Sequence, residues 1–145
     1  TFVRQFGGGP SASASPEGDP IRFVPVVDST SMIEAVLAEI RNSIDPEGLD
    51  EKDIVVITGT SAERDLFHNI ASTEFSFGKW EDRTDEFIAC ETAKRAKGIE
   101  ANLVILATLN EDIRDNEMYV GSSRARSNLI IVGPESFAER FRIAN

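Results

Sequence analysis

The chain has one cysteine, Cys90, and one histidine, His68. A single thiol cannot form an internal disulfide, and one thiol with one imidazole cannot supply the Cys/His set that holds structural zinc. No apolar run approaches the roughly 18–20 residues of a membrane span, and the N-terminus lacks the charged-then-apolar order of a signal peptide. A cytoplasmic protein that engages no membrane is therefore expected. Basic residues are outnumbered, 15 Lys and Arg against 25 Asp and Glu, for a formal net charge of -10. That balance excludes coating nucleic acid through bulk charge, because phosphate binding needs local cations that displace counterions. A phosphate-cradling loop is missing too: Gly7-Gly8-Gly9 is not followed by the Gly-Lys-Ser/Thr that such a loop requires.

What remains fits one domain. The chain is 145 residues long, 41% apolar and 28% charged, in the range of a globular protein. It begins at Thr1 without a methionine, which points to a piece of a longer protein. Residues 1–20 are expected to be a flexible N-terminal segment, since Gly7–Pro20 (GGGPSASASPEGDP) has almost nothing apolar to offset its ordering entropy. Residues 21–145 then form the folded domain.

Along that domain the hydrophobic period alternates between two and 3.6. Ile21–Val27 is short and β-branched, a strand. Ser29–Ile44 carries Met32, Ile33, Val36, Leu37 and Ile40 at helical spacing, with Ser29 and Ser31 as candidate caps and Asp45-Pro46-Glu47-Gly48 as the stop. Ile54–Thr58 (IVVIT) reads as a buried strand, followed by a helix over Ser61–Ala71 whose apolar face is Leu66, Phe67 and Ile70. Ser72–Asp85 reads as loop, with Trp80 covering an edge of the core. Strands follow at Phe87–Cys90, Leu103–Ala107 and Leu129–Val132, and helices at Asn116–Arg126 and Pro134–Phe141. Such alternation predicts an α/β domain with a mainly parallel sheet, whose ligand-bearing loops belong at the carboxyl ends of the strands.

Positive charge is placed rather than scattered. Residues 91–100 contain Lys94, Arg95 and Lys97, residues 116–132 contain Arg124 and Arg126, and both windows are net positive within an acidic chain. Each lies between two predicted strands, where a loop would meet an anion. His68, with no partner at ligand spacing, reads as a helix-face residue. Glu111, Asp112 and Asp115 lack the spacing and glycine of a calcium loop.

The segment Thr92-Ala93-Lys94-Arg95-Ala96-Lys97-Gly98-Ile99-Glu100, running into LVILA, resembles the fifth motif of the UvrD/Rep/PcrA branch of superfamily one helicases, T-x-H-x-x-K-G-L-E before a buried strand. Tyr119-Val120-Gly121-Ser122-Ser123-Arg124-Ala125-Arg126, two residues before LIIV, resembles the sixth, Y-V-A/G-x-T/S-R-A-R. The resemblance spans Gly18 to Phe137. It implies a RecA-like three-layer domain of the P-loop NTPase superfold: the C-terminal motor half, which lacks the Walker motifs, in a compact form without an inserted accessory domain. By the same resemblance Arg124 is the arginine finger that reaches the ATP γ-phosphate, Glu100 accepts a hydrogen bond from the ribose, and Gly98 permits close backbone approach beside it. Thr92, Lys94 and Arg95 would contact phosphates of single-stranded DNA. Lys94 stands where many relatives have histidine, and Gly59 where larger relatives often have arginine. ATP would be bound with Mg2+, whose ligands would belong to an N-terminal RecA-like domain of the same parent chain, the implied partner. The parent would be an ATP-dependent DNA helicase or translocase, and this portion alone inactive. The alternative is a degenerate, non-catalytic motor half serving as a protein-interaction module.

Overall fold

The computed structural model describes residues 22–45, 48–70, 74–82, 87–96, 99–111 and 125–141. Among the described residues six strands and three helices follow in chain order: β1 (Arg22–Pro25), α1 (Ser29–Ile44), β2 (Ile54–Thr58), α2 (Ser61–His68), β3 (Phe77–Gly78), β4 (Ile88–Thr92), β5 (Ala101–Ala107), β6 (Ala125–Gly133) and α3 (Ser136–Phe141). The strands form one sheet in the order β1-β6-β5-β2-β4-β3, and every pairing is parallel. The expected parallel α/β architecture is thus present, with all six strands running the same way.

A parallel sheet covered on both faces needs strands that are apolar at consecutive positions, and β2 and β4 are buried along their whole length. The pleat divides these side chains between two cores. Val55, Ile57, Val104, Leu106, Leu129 and Ile131 gather on one face with Phe137 of α3 and with Ala93, Ala96 and Ile99. Val56, Ile105, Ile130 and Val132 gather on the other, under Met32, Val36 and Ile40 of α1 and Phe67 of α2. The layers are therefore helix, sheet and helix, the arrangement of a RecA-like domain. Full burial of each large aliphatic side chain stabilises by about 1.5–3 kcal/mol. Among the described residues no helix is long and apolar enough to cross a membrane.

Several local expectations change. The N-cap of α1 is Asp28, not Ser29 or Ser31: Asp28 Oδ1 accepts from Ser31 N at 2.8 Å, and Ser31 Oγ accepts in return from Asp28 N at 3.1 Å. That reciprocal box satisfies two groups the helix itself cannot. At its other end Gly48 has φ +83°, a conformation open to glycine, with Gly48 N donating to Ile44 O and Leu49 N to Ser43 O. Helix α2 ends at His68, earlier than expected, and Leu66 is exposed while Phe67 alone of its pair is buried. Within the expected 72–85 loop lies β3, and Trp80 packs partly buried against the core as expected. Ala125 and Arg126, expected to close a helix, begin β6 instead. The rest of that expected helix and the N-terminal segment 1–20 lie outside the described residues.

Candidate functional site

The residues after β4 owe their placement to three apolar anchors. Ala93, Ala96 and Ile99, spaced three apart, are all buried against one face of the sheet. A single turn over Ala93–Arg95 connects the first two, so the intervening Lys94 and Arg95 are turned outward and exposed. Thr92, the last residue of β4, is buried at 6% exposure beside Thr58 of β2. Glu91 precedes it with a side chain only 4% exposed. Its Oε2 accepts from Trp80 N at 3.0 Å, while its Oε1 lies 3.7 Å from Arg95 Nε and has no hydrogen bond. Arg95 also pairs with Glu81, Nη2 to Oε1 at 3.6 Å. Two carboxylates thus flank Arg95, the residue for which the motif resemblance implies a nucleic-acid contact.

Glu100 lies at the opposite end of the sheet. It is exposed and directly precedes Ala101, the first residue of β5, so it sits at the amino edge rather than at the carboxyl ends expected for ligand loops. There the ladder makes a specific juxtaposition: Ala101 pairs with Ala125, the first residue of β6. The residue joined to Ala101 is Glu100, and the residue joined to Ala125 is Arg124. The two segments singled out in the sequence therefore enter the sheet side by side. Gly98 and Arg124 themselves lie outside the described residues.

At the carboxyl edge the chain leaves β2 towards β4 by way of α2, whereas β5 is succeeded by β6 on its other side. Such a divergence between neighbouring strands opens the crevice where parallel sheets accept ligands. Here it is filled by Glu63, 9% exposed, from the first turn of α2. Its carboxylate accepts from Thr108 Oγ1 at 2.7 Å, Leu109 N at 2.7 Å and Thr60 N at 3.2 Å. Thr60 Oγ1 accepts in turn from Glu63 N at 3.2 Å, and Thr108 Oγ1 from Asn110 N at 3.1 Å. Sequence reasoning missed Glu63, although Thr60-x-x-Glu63 is a capping-box pattern that could have flagged it.

Cys90 is buried beneath this edge, and burial, reinforced by Glu91, pushes its thiol well above the usual range. A thiol in that state is neither nucleophile nor metal ligand. His68 Nε2 is 2.9 Å from Cys90 O, which accounts for the histidine as a helix-end residue tied to β4. Among the described residues no group of three or more His, Cys, Asp or Glu side chains could hold a metal ion.

No protein-family profile matches the chain, and no curated protein matches it. The fold is similar to a solved structure, the C-terminal domain of a possible DNA helicase from Lactobacillus plantarum WCFS1. The likeness has a TM-score of 0.67 at 15% sequence identity and covers 99% of this chain and 88% of that one.

Proposed function

We propose that this chain is the C-terminal motor domain of an ATP-dependent helicase or translocase of the UvrD type that moves along single-stranded DNA. The observation that supports the reading is the pairing of Ala101 with Ala125, since these residues follow Glu100 and Arg124 directly in the sequence. Independent support comes from a solved domain of the same fold described as part of a possible DNA helicase.

In this reading Arg124 acts on the nucleotide held by the facing motor domain. Phosphoryl transfer spreads charge over the transferring oxygens, and a planar guanidinium stabilises it, an effect of ~10³–10⁵ in rate for arginine fingers generally. Glu100, exposed at the start of β5, accepts from a ribose hydroxyl, and Gly98 allows the backbone close beside it. The ligands of the Mg2+ that accompanies ATP would belong to the facing domain. On the opposite edge Lys94 and Arg95 point outward and supply charge to nucleic-acid phosphates, with Thr92 closing β4 beneath them. One edge of the sheet would thus serve ATP and the other DNA, with β5 and β6 connecting them.

The test is steady-state ATP hydrolysis by the complete polypeptide. Arg124→Ala is expected to lower turnover by at least ~100-fold while nucleotide affinity changes far less, because the finger acts mainly on transition-state charge. Near wild-type turnover would remove the assignment.

A further inference from the structure

Arg95 is surrounded by more negative charge than a nucleic-acid contact can use at once. Glu91 and Glu81 both pair with it, at 3.7 Å and 3.6 Å, and they differ in kind. The Glu91 side chain is 4% exposed, fixed by the Trp80 amide, and its Oε1 is a buried acceptor with no hydrogen bond. Such a carboxylate holds its cation, because withdrawing the guanidinium would leave a buried charge uncompensated. Glu81 is 63% exposed on a surface turn, and since both pairings are longer than a hydrogen bond, it is exposure and not distance that separates the two carboxylates. A pair of that kind exchanges readily for another anion in water. The guanidinium fork presents Nε on one side and further N–H donors on its outer edge, so one face can stay on Glu91 while the outer edge changes partner.

We propose that Glu81 occupies the phosphate position of an anion subsite at Arg95. A phosphodiester of a single-stranded nucleic acid replaces the Glu81 carboxylate on the outer edge of the guanidinium, and Glu91 remains as the fixed wall. Carboxylate and phosphate match because both offer paired oxygens to the same fork of N–H donors. The subsite rests on the nucleic-acid reading of Lys94 and Arg95 given above. Its consequence is that affinity is set by competition within the chain, and that Glu81, outside both motifs, tunes it.

The experiment is a fluorescence-anisotropy titration of a labelled oligothymidylate with the 145-residue chain over a series of salt concentrations. The proteins are wild type, Glu81→Gln, Arg95→Ala, the Glu81→Gln/Arg95→Ala double variant and Lys94→Ala. Glu74→Gln is the control, since it also removes one negative charge, at the separate Arg41–Glu74 pair. Glu81→Gln is expected to bind about two- to fivefold more tightly at low salt, the range that a weak exposed pair can withhold. Its plot of log K against log salt should keep the wild-type slope, because the same phosphate contact forms in both, whereas Arg95→Ala should flatten it by ~0.7. The double variant should bind like Arg95→Ala, and Glu74→Gln should leave the slope unchanged. Equal gains from Glu81→Gln and Glu74→Gln would overturn the subsite, as would a gain that survives in the Arg95→Ala background. Wild-type binding that Lys94→Ala weakens but Glu81→Gln leaves unaltered removes the exchange and spares the nucleic-acid reading. No binding by either wild type or Glu81→Gln removes that reading and the subsite with it.

Discussion

Replacing Glu63 by alanine removes three acceptor contacts at once. The Thr108 hydroxyl and Leu109 amide lose bonds of 2.7 Å each, and the Thr60 amide loses one of 3.2 Å. Hydrogen bonds to a charged group contribute about 1.5–3 kcal/mol each, and a buried donor left unpaired costs about 1–3 kcal/mol. The three do not add in full. Thr60 lies at a helix start where water can enter, whereas the Thr108 hydroxyl loses its acceptor, since its bond from Asn110 N uses only the oxygen. The Leu109 amide, bound at the mouth of the crevice, has no substitute either, and we expect a total loss of about 3 kcal/mol, near the upper end for single substitutions. At roughly 3 °C per kcal/mol for a chain of this size, the Tm should fall by about 10 °C. Glu63→Gln keeps one acceptor oxygen but sets an amide N–H against a donor, so about 2 kcal/mol is expected. Thr108→Val should couple to Glu63 by about 1–2 kcal/mol in a double-mutant cycle. Urea unfolding followed by circular dichroism and by Trp80 fluorescence measures all three. A Glu63→Ala chain within about 0.5 kcal/mol of wild type would refute the claim that this carboxylate holds the β2 and β5 exits together.

Gly133 ends β6 where a Cβ would meet Phe137 Cδ2 at 2.6 Å and Thr108 O at 3.0 Å; because Phe137 is 1% exposed and cannot swing aside, Gly133→Ala should destabilise by about 1–3 kcal/mol in the same unfolding assay. Asp28 is held below its usual pKa by its hydrogen bonds to the Ser31 backbone and side chain. Its contribution is therefore full above the unfolded carboxylate pKa and lost as pH falls through the lower folded one, so the acid limb of a stability-versus-pH curve should flatten in Asp28→Asn, and an unchanged limb would deny the cap its role.

The parallel sheet was legible because strands covered on both faces must be continuous apolar runs, and IVVIT, LVILA and LIIV have no other simple reading. Both ends of α1 were legible, Ser29 to Ile44, but the cap was not. Asp28, Ser29 and Ser31 are all good capping types, and only backbone geometry selects Asp28, whose φ of -150° is extended. Strand β3 was invisible because two residues, Phe77 and Gly78, carry no period; pairing with β4 alone makes them a strand. Leu66 was misplaced because an eight-residue helix makes barely two turns, too few for a face to be fixed by spacing. The same division holds at the candidate site. Thr92, Lys94, Arg95 and Glu100 stand in one local run, whereas Glu63 reaches partners 45 and 46 positions away and Glu91 one 11 positions away. Local spacing carries no trace of such distant bonds.

The place of β6 between β5 and β1 governs the order in which the chain can complete itself. Among the described strands β1 pairs with β6 alone, with Arg22 opposite Ile130, roughly a hundred residues later. Helix α1 packs on β5 and β6, also late in the sequence. At a ribosomal rate of ~5–20 residues per second, Met32, Val36 and Ile40 would remain uncovered for roughly 5–20 s after they are made. The β2–β4 ladder, closed over a much shorter loop, can form meanwhile. Insertion of β6 would then capture β1 and seat α1 in one late step, and pairings of such long sequence separation are intrinsically slow. Until that step a nascent chain of this domain offers an apolar helix face to chaperones.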